Sequence, residues 1–228
     1  MNISAKAAFI NHTNLSPTAS EIAIYRLCQD AVEQGFNSVC ILPVHVPIVA
    51  QKLAGSDVKI ATVVGFPLGG HVAAIKAAEA AQAFRDGATV IEMVINLPKF
   101  KSHDYEYVQR EIQEVVKAAP KATLKVIIEN AYLDNEEKKQ ACLLAKKSGA
   151  VIVKSSTGFV KAGANIADIA LMRHVVGEDM GVEACGGITL LETMEALLRA
   201  GADAIGTSAG LAIMEEYRNI ITNNTGAI

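Results

Sequence analysis

The sequence predicts an α/β fold, a single-domain (β/α)8 TIM barrel in which eight parallel strands close on themselves and a helix follows each. Three observations carry this expectation. Short β-branched runs alternate with longer Ala/Leu/Glu/Lys stretches, eight times over. The length of 228 residues suits eight compact βα units in one domain, with no Pro/Ser-rich linker dividing the run. Several strands carry charge at alternate positions and no GxGxxG follows the first, which favours a barrel over an open doubly wound sheet.

Taken in order, strands are expected at Ala8–His12, Ser38–Leu42, Val58–Val64, Thr89–Ile95, Thr123–Glu129, Val151–Ser156, Gly181–Cys185 and Ala204–Thr207. Helices are expected at Thr18–Gln34, Val44–Leu53, His71–Asp86, Tyr105–Ala118, Asn135–Lys147, Ile166–Val176, Leu190–Arg199 and Ala209–Ile221. Gly35, Gly87, Gly149 and Gly201 stand where helices end, as left-handed C-caps require.

Composition narrows the function classes. With 51% hydrophobic residues the chain can fill a substantial core, which excludes a largely disordered protein. A formal net charge of −3 without any basic tract argues against nucleic acid as main partner. The longest apolar runs are strand-sized, so no membrane-spanning helix is expected. The opening MNISAKAAFINHT lacks the apolar stretch of a signal peptide, so the expected location is the cytoplasm. Cys28, Cys40, Cys142 and Cys185 form no CxxC, and no HExxH occurs, so neither a disulfide framework nor a metal site is expected.

Side chains alternate between the two faces of a strand. Glu92, Lys125, Glu129, Lys154 and Glu183 lie on four expected strands. An unpaired charge facing the helices is costly, so all five are expected to point into the barrel toward its catalytic end. The competing reading is an ion-pair network that merely fills a polar interior. Lys154 sits late in IVKSSTGF, immediately before a Ser/Thr/Gly turn, where a neutral amine can attack a carbonyl and form a Schiff base. After the seventh and eighth strands, Cys185-Gly186-Gly187-Ile188-Thr189 and Ile205-Gly206-Thr207-Ser208-Ala209-Gly210 open helices where barrels hold phosphate on backbone N–H groups. Gly158 adds a third such turn. Neither of the two late turns contains Arg or Lys, so an anion there would rest on backbone and helix dipole. Gly65-Phe66-Pro67-Leu68-Gly69-Gly70 reads as a rim loop, or simply a turn. Cys40 reads more readily as a small core residue than as a nucleophile.

From Asn11-His12-Thr13 to Ser208-Ala209-Gly210 the chain resembles the deoxyribose-phosphate aldolases, class I aldolases of (β/α)8 type. The stretches that carry the resemblance are GFNSVCILP, VKIATVVGFPLGG, GATVIEMVIN, LKVIIEN, IVKSSTGF, ACGGIT and IGTSAG. The resemblance implies reversible cleavage of 2-deoxyribose 5-phosphate to glyceraldehyde 3-phosphate and acetaldehyde, without metal or organic cofactor. It puts the Schiff-base lysine at Lys154. The family's relay aspartate is Glu92 here, its second active-site lysine is Glu183, its Asp-His-Thr is Asn11-His12-Thr13, its Arg after Gly-Gly-Ile is Thr189, and its Glu-Thr is Glu129-Asn130.

The expected catalytic groups are therefore Lys154, Glu92 and Glu183. Thr13, Cys40, Lys125, Gly158, Gly186, Gly187, Gly206 and Ser208 are the expected substrate-binding positions. The expected partner is a small aldehyde or sugar phosphate, and the chain is a candidate homodimer. A carboxylate beside a lysine stabilises its ammonium form, so Glu183 should make Lys154 a poorer nucleophile unless burial or a cation such as Lys125 offsets it. Burial of Glu92 beside Glu183 would instead leave one of them protonated, as a general acid. The alternative is a non-catalytic phosphosugar-binding paralogue that has lost the relay.

Overall fold

The computed structural model describes residues 3–225. A short helix α1 (Ile3–Ala7) leads into β1 (Ile10–Asn14), followed by α2 (Glu21–Gln34), β2 (Ser38–Ile41), α3 (Val46–Lys52), β3 (Lys59–Val64), α4 (Ala73–Arg85) and β4 (Val90–Val94). Two helices, α5 (Leu97–Lys101) and α6 (Tyr105–Ala118), precede β5 (Thr123–Ile127), and α7 (Asn135–Lys147) precedes β6 (Ile152–Lys154). The remainder runs α8 (Ile166–Val176), β7 (Gly181–Cys185), α9 (Leu191–Arg199), β8 (Ala204–Thr207) and α10 (Gly210–Thr225). The strands form a closed barrel in sequence order, all parallel, with β8 returning to β1 through Ile10↔Ile205, Asn11↔Gly206 and His12↔Thr207. The (β/α)8 expectation is met.

Local chemistry explains the helix ends. The Ser20 hydroxyl accepts from Ala23 N at the start of α2, and Gly35, at φ 72°, ends it with its N–H on Ala31 and Val32 carbonyls. Asp134 and Glu137 close a capping box on α7. Two helices go beyond the expected eight. In α5, Asn96 accepts from Lys99 N and Pro98 sits in the first turn, so a segment that reads as a loop closes into a short helix. Helix α1 displaces the first strand, whose pairing with β8 begins at Ile10 rather than Ala8.

Outward-facing strand residues such as Val39, Ile60, Ile91, Val126, Val153, Val182 and Ile205 pack under the helices with Ile24, Ile112, Ile169, Met194 and Ile213. Each such buried aliphatic side chain contributes about 1.5–3 kcal/mol relative to exposure. The barrel interior is divided. On the β2–β4 side it is apolar, with Cys40, Ala61, Val63 and Val90 packed with Leu15. Around the rest it holds Asn11, Glu92, Lys125, Lys154 and Glu183, all buried.

Glu129 corrects the inward-pointing set. Strand β5 ends at Ile127, and Glu129 adopts a left-handed φ of 51°, which breaks the two-residue alternation. Its carboxylate accepts from Thr157 N at 3.1 Å and Thr157 Oγ1 at 2.5 Å, tying the end of β5 to the turn after β6.

Candidate active site

The four remaining charges converge because their strands are neighbours in register: Glu92 pairs with Lys125, and Lys154 with Glu183. They form a closed ring. Lys154 Nζ donates to Glu92 Oε2 at 2.6 Å and lies 2.9 Å from Glu183 Oε1. Lys125 Nζ donates to Glu183 Oε2 at 2.5 Å and lies 3.1 Å from Glu92 Oε1. The two longer contacts lack hydrogen-bond alignment, so Glu92 Oε1 and Glu183 Oε1 remain open as acceptors. Cys40 Sγ lies 3.5 Å from Glu92 Oε2, its thiol pushed well up by burial and then by Glu92. A neutral thiol there is a weak donor and not a nucleophile.

Each charge in the ring touches two of opposite sign, and this outweighs burial. Burial raises the Glu92 pKa, but Lys154 and Lys125 bring it down to about 2. Glu92 is therefore ionised at neutral pH, so of the two carboxyls it is not the one that burial leaves protonated: the lysines stand between the carboxylates. For Lys154, burial lowers the pKa, yet Cys185, Glu183, Glu92 and Cys40 together raise it well above the ordinary lysine value. Cys185 acts in this only as thiolate, and its own pKa is pushed up to about 11 by burial, so near pH 7 the carboxylates hold the charge. Lys125 is raised as well: against the lowering by burial, Glu183 and Glu92 prevail. Its repulsion of Lys154 is real but outweighed, since the Lys154 pKa is raised all the same. Each lysine neutralises the pair the other also touches.

Beside the ring a cavity of about 740 Å³ opens at the C-terminal mouth of the barrel. Thr13, Gly158, Gly186, Gly187, Gly206 and Ser208, all expected at the site, line it. Thr13 Oγ1 donates to the Asn11 carbonyl at 3.0 Å. Gly186 and Gly187 have φ of 103° and 71°, values that only glycine adopts readily, so their backbone faces the cavity without a Cβ. Lys154, Glu92, Glu183, Lys125 and Cys40 do not line the cavity itself, and Lys154 is only 2% exposed. Cys185 and Gly206 belong to both regions: they line the cavity, and a Cβ on Gly206 would stand 2.8 Å from Glu183 Oε1.

Three contributors are missing from the expected site residues. Arg26 and Asp30 of α2 also line the cavity, so its wall carries a cation and an anion beside the backbone turns. Nothing in the spacing of an amphipathic helix tells which residues reach over a barrel mouth. Asn11 Nδ2 donates to Glu183 Oε2 at 2.8 Å, and an inward-facing polar residue on β1 was the available signal.

The relatives agree with this geometry. The family model for DeoC/LacD family aldolases matches residues 8–216. A deoxyribose-phosphate aldolase of Thermococcus gammatolerans is 49% identical over 93% of this chain and 96% of its own length. One from Clostridium perfringens is 50% identical over 92% and 94%. The solved deoxyribose phosphate aldolase of Aeropyrum pernix, described as tetrameric, superposes with a TM-score of 0.90 at 31% identity, covering 96% of this chain and 93% of that one. The chain belongs to the DeoC/LacD aldolase family. As a DeoC/LacD aldolase it is a carbon–carbon lyase, and the relatives support the catalytic reading rather than the binding paralogue. Two positions at which this DeoC/LacD aldolase departs from the pattern its resemblance implies, Asn11 and Glu183, are in direct contact.

Proposed function

We propose that the chain cleaves 2-deoxyribose 5-phosphate reversibly to glyceraldehyde 3-phosphate and acetaldehyde through a Schiff base on Lys154. The observation that carries this is Lys154 itself: a buried amine at the end of β6, 2.6 Å from one carboxylate and 2.9 Å from a second, beneath an open cavity.

The resting lysine is an ammonium held between two carboxylates, so catalysis proceeds through the small fraction of Lys154 that has lost its proton. The freed amine attacks the C1 aldehyde of the open-chain sugar, and loss of water from the carbinolamine leaves an iminium. Removal of the C3 hydroxyl proton by a carboxylate breaks the C2–C3 bond. Its electron pair passes into the enamine, and glyceraldehyde 3-phosphate departs. Protonation of the enamine at C2 and hydrolysis of the iminium release acetaldehyde and restore Lys154. Lys125 stays cationic throughout and limits the cost of moving charge inside the barrel. Every step is covalent or proton chemistry of the chain, so no metal or cofactor is invoked. The phosphate meets the Gly186–Gly187 and Ser208 backbone with Arg26 beside it, in place of a cation in the turn at Thr189.

Intact-protein mass after borohydride reduction with deoxyribose 5-phosphate tests the reading. A reduced adduct in the wild type and its absence in Lys154→Ala is the expected result. No adduct between pH 6 and 9, or an equal adduct in both proteins, overturns it. Self-association belongs to the same proposal, as a homodimer in the simplest case, and sedimentation of the purified chain reads it.

A further inference from the structure

Glu183 is not merely tolerated inside the barrel, because a seat is built around it. Asn11 is buried on β1, paired with Ser38 on one side and Gly206 on the other. Its Oδ1 accepts from Ser38 Oγ at 2.7 Å and Asn37 Nδ2 at 2.8 Å, so two donors fix which end of the amide faces which way. The NH2 end is thereby directed at Glu183 Oε2, 2.8 Å away. Lys125 donates to the same oxygen. On the other side, the missing side chain at Gly206 leaves room for Oε1. The two oxygens of Glu183 are thus unequal: Oε2 holds two donors, while Oε1 makes no aligned hydrogen bond and lies 2.9 Å from Lys154.

We propose that Asn11 is a positioning residue of the relay, whose amide pins Oε2 of Glu183 so that Oε1 is turned toward Lys154. This rests on the Schiff-base reading for its catalytic meaning, but the contact stands apart from it. An aspartate at position 11 would keep the donors from Ser38 and Asn37, yet it would set a second carboxylate oxygen against Oε2. Two anions at that distance do not both stay charged, so one proton would be shared between them. Besides Asn11, the charged and titratable groups around the Glu183 carboxylate are Lys125 from β5, Lys154 from β6 and the thiols Cys40 from β2 and Cys185 from β7, with Glu92 from β4 across the same two lysines. None of these changes when position 11 is altered.

The test is the titration of Glu183, followed by carbon-13 NMR of the side-chain carboxyl in glutamate-labelled full-length protein and assigned with Glu183→Gln. In Asn11→Asp the protonation midpoint of Glu183 is expected to rise by at least about one pH unit. In Asn11→Ala, which removes the donor without adding charge, it rises by less. Should Asn11→Asp fail to fold, Asn11→Ala alone decides. A melting-temperature cycle supplies the second readout. Asn11→Ala and Glu183→Ala each lower the melting temperature, and the double variant melts above the sum of the two losses, because the contact they share is lost only once. An unmoved Glu183 midpoint in the folded variants, or an additive cycle, overturns the proposal. Neither readout needs turnover, so a wild type without a borohydride-trapped adduct would sink the Schiff-base reading and leave this one to be judged separately.

Discussion

Two buried lysine–glutamate clusters in this molecule behave in opposite ways. Outside the barrel, Lys76 of α4 donates to Glu111 of α6 at 2.8 Å and to the Val94 carbonyl at 2.8 Å, while Glu111 Oε1 accepts from Asn96 N at 2.6 Å. Burial dominates there. It lowers the Lys76 pKa despite Glu111, and it raises the Glu111 pKa despite Lys76. Inside the barrel, burial is opposed and beaten: Lys154 is raised and Glu92 lowered. One partner per charge does not replace the lost solvation, whereas two do. The groups also differ in what they leave open. The outer pair's contacts with Val94 and Asn96 fasten the end of β4 to two helices. The ring keeps two open carboxylate oxygens next to a cavity. Two buried lysines thus differ in place, one a clamp between helices and a strand end, the other the amine proposed to react.

The largest effects should separate these roles. Lys154→Met is expected to lower kcat for deoxyribose 5-phosphate cleavage by at least about 10³-fold, since the amine that forms the bond is gone. Lys76→Met leaves Glu111 buried and unpaired. It should cost about 3–5 kcal/mol in urea unfolding while kcat of the folded enzyme stays within about tenfold. Comparable kcat losses in the two variants would erase the distinction between clamp and nucleophile.

A milder experiment sharpens it. Replacing the outer pair together, as Lys76→Met with Glu111→Leu, removes both charges and should return the protein to within about 2 kcal/mol of wild-type stability, with kcat preserved. Urea denaturation beside steady-state kinetics reads both. A double variant no more stable than Lys76→Met would mean that the fastening at Val94 and Asn96, rather than the desolvated charge, is what the pair provides.

How much of this was legible beforehand follows from which forces are local. Strand parity alone was enough to bring Glu92, Lys125, Lys154 and Glu183 together, because a two-residue period and the cost of an unpaired charge against the helices leave few alternatives. Glu129 escaped the same logic, since its left-handed backbone ends the alternation and no residue-type signal announces that conformation in a glutamate. The polarity of the barrel interior was readable, but the protonation of Glu92 was not. That depends on the lysines lying between the carboxylates, a matter of ångströms rather than of spacing. Arg26 lay beyond reach for a similar reason: its place on the cavity wall follows from how α2 lies on the barrel.

The subtlest contrast lies in acid stability, where the two clusters should pull in opposite directions. Glu92 has a folded pKa of about 2 against an ordinary value of 4.5, so the unfolded chain binds the proton more readily between those values. Its contribution is fully present above pH 4.5 and is lost as pH falls toward 2, on the order of 3 kcal/mol by linkage. Glu111 is raised instead, so the folded state takes up the proton first as pH falls, and acidification toward pH 4.5 relieves a penalty rather than removing a benefit. Urea midpoints measured from pH 7 to pH 2 should therefore fall less steeply below pH 4.5 in Glu92→Gln and keep the wild-type slope there in Glu111→Gln. In Glu111→Gln the change appears just above pH 4.5, where stability should fall more steeply on acidification than in the wild type. An unchanged slope below pH 4.5 in Glu92→Gln would mean that the ring does not hold its carboxylate ionised, and the contrast between the two clusters would then rest on geometry alone.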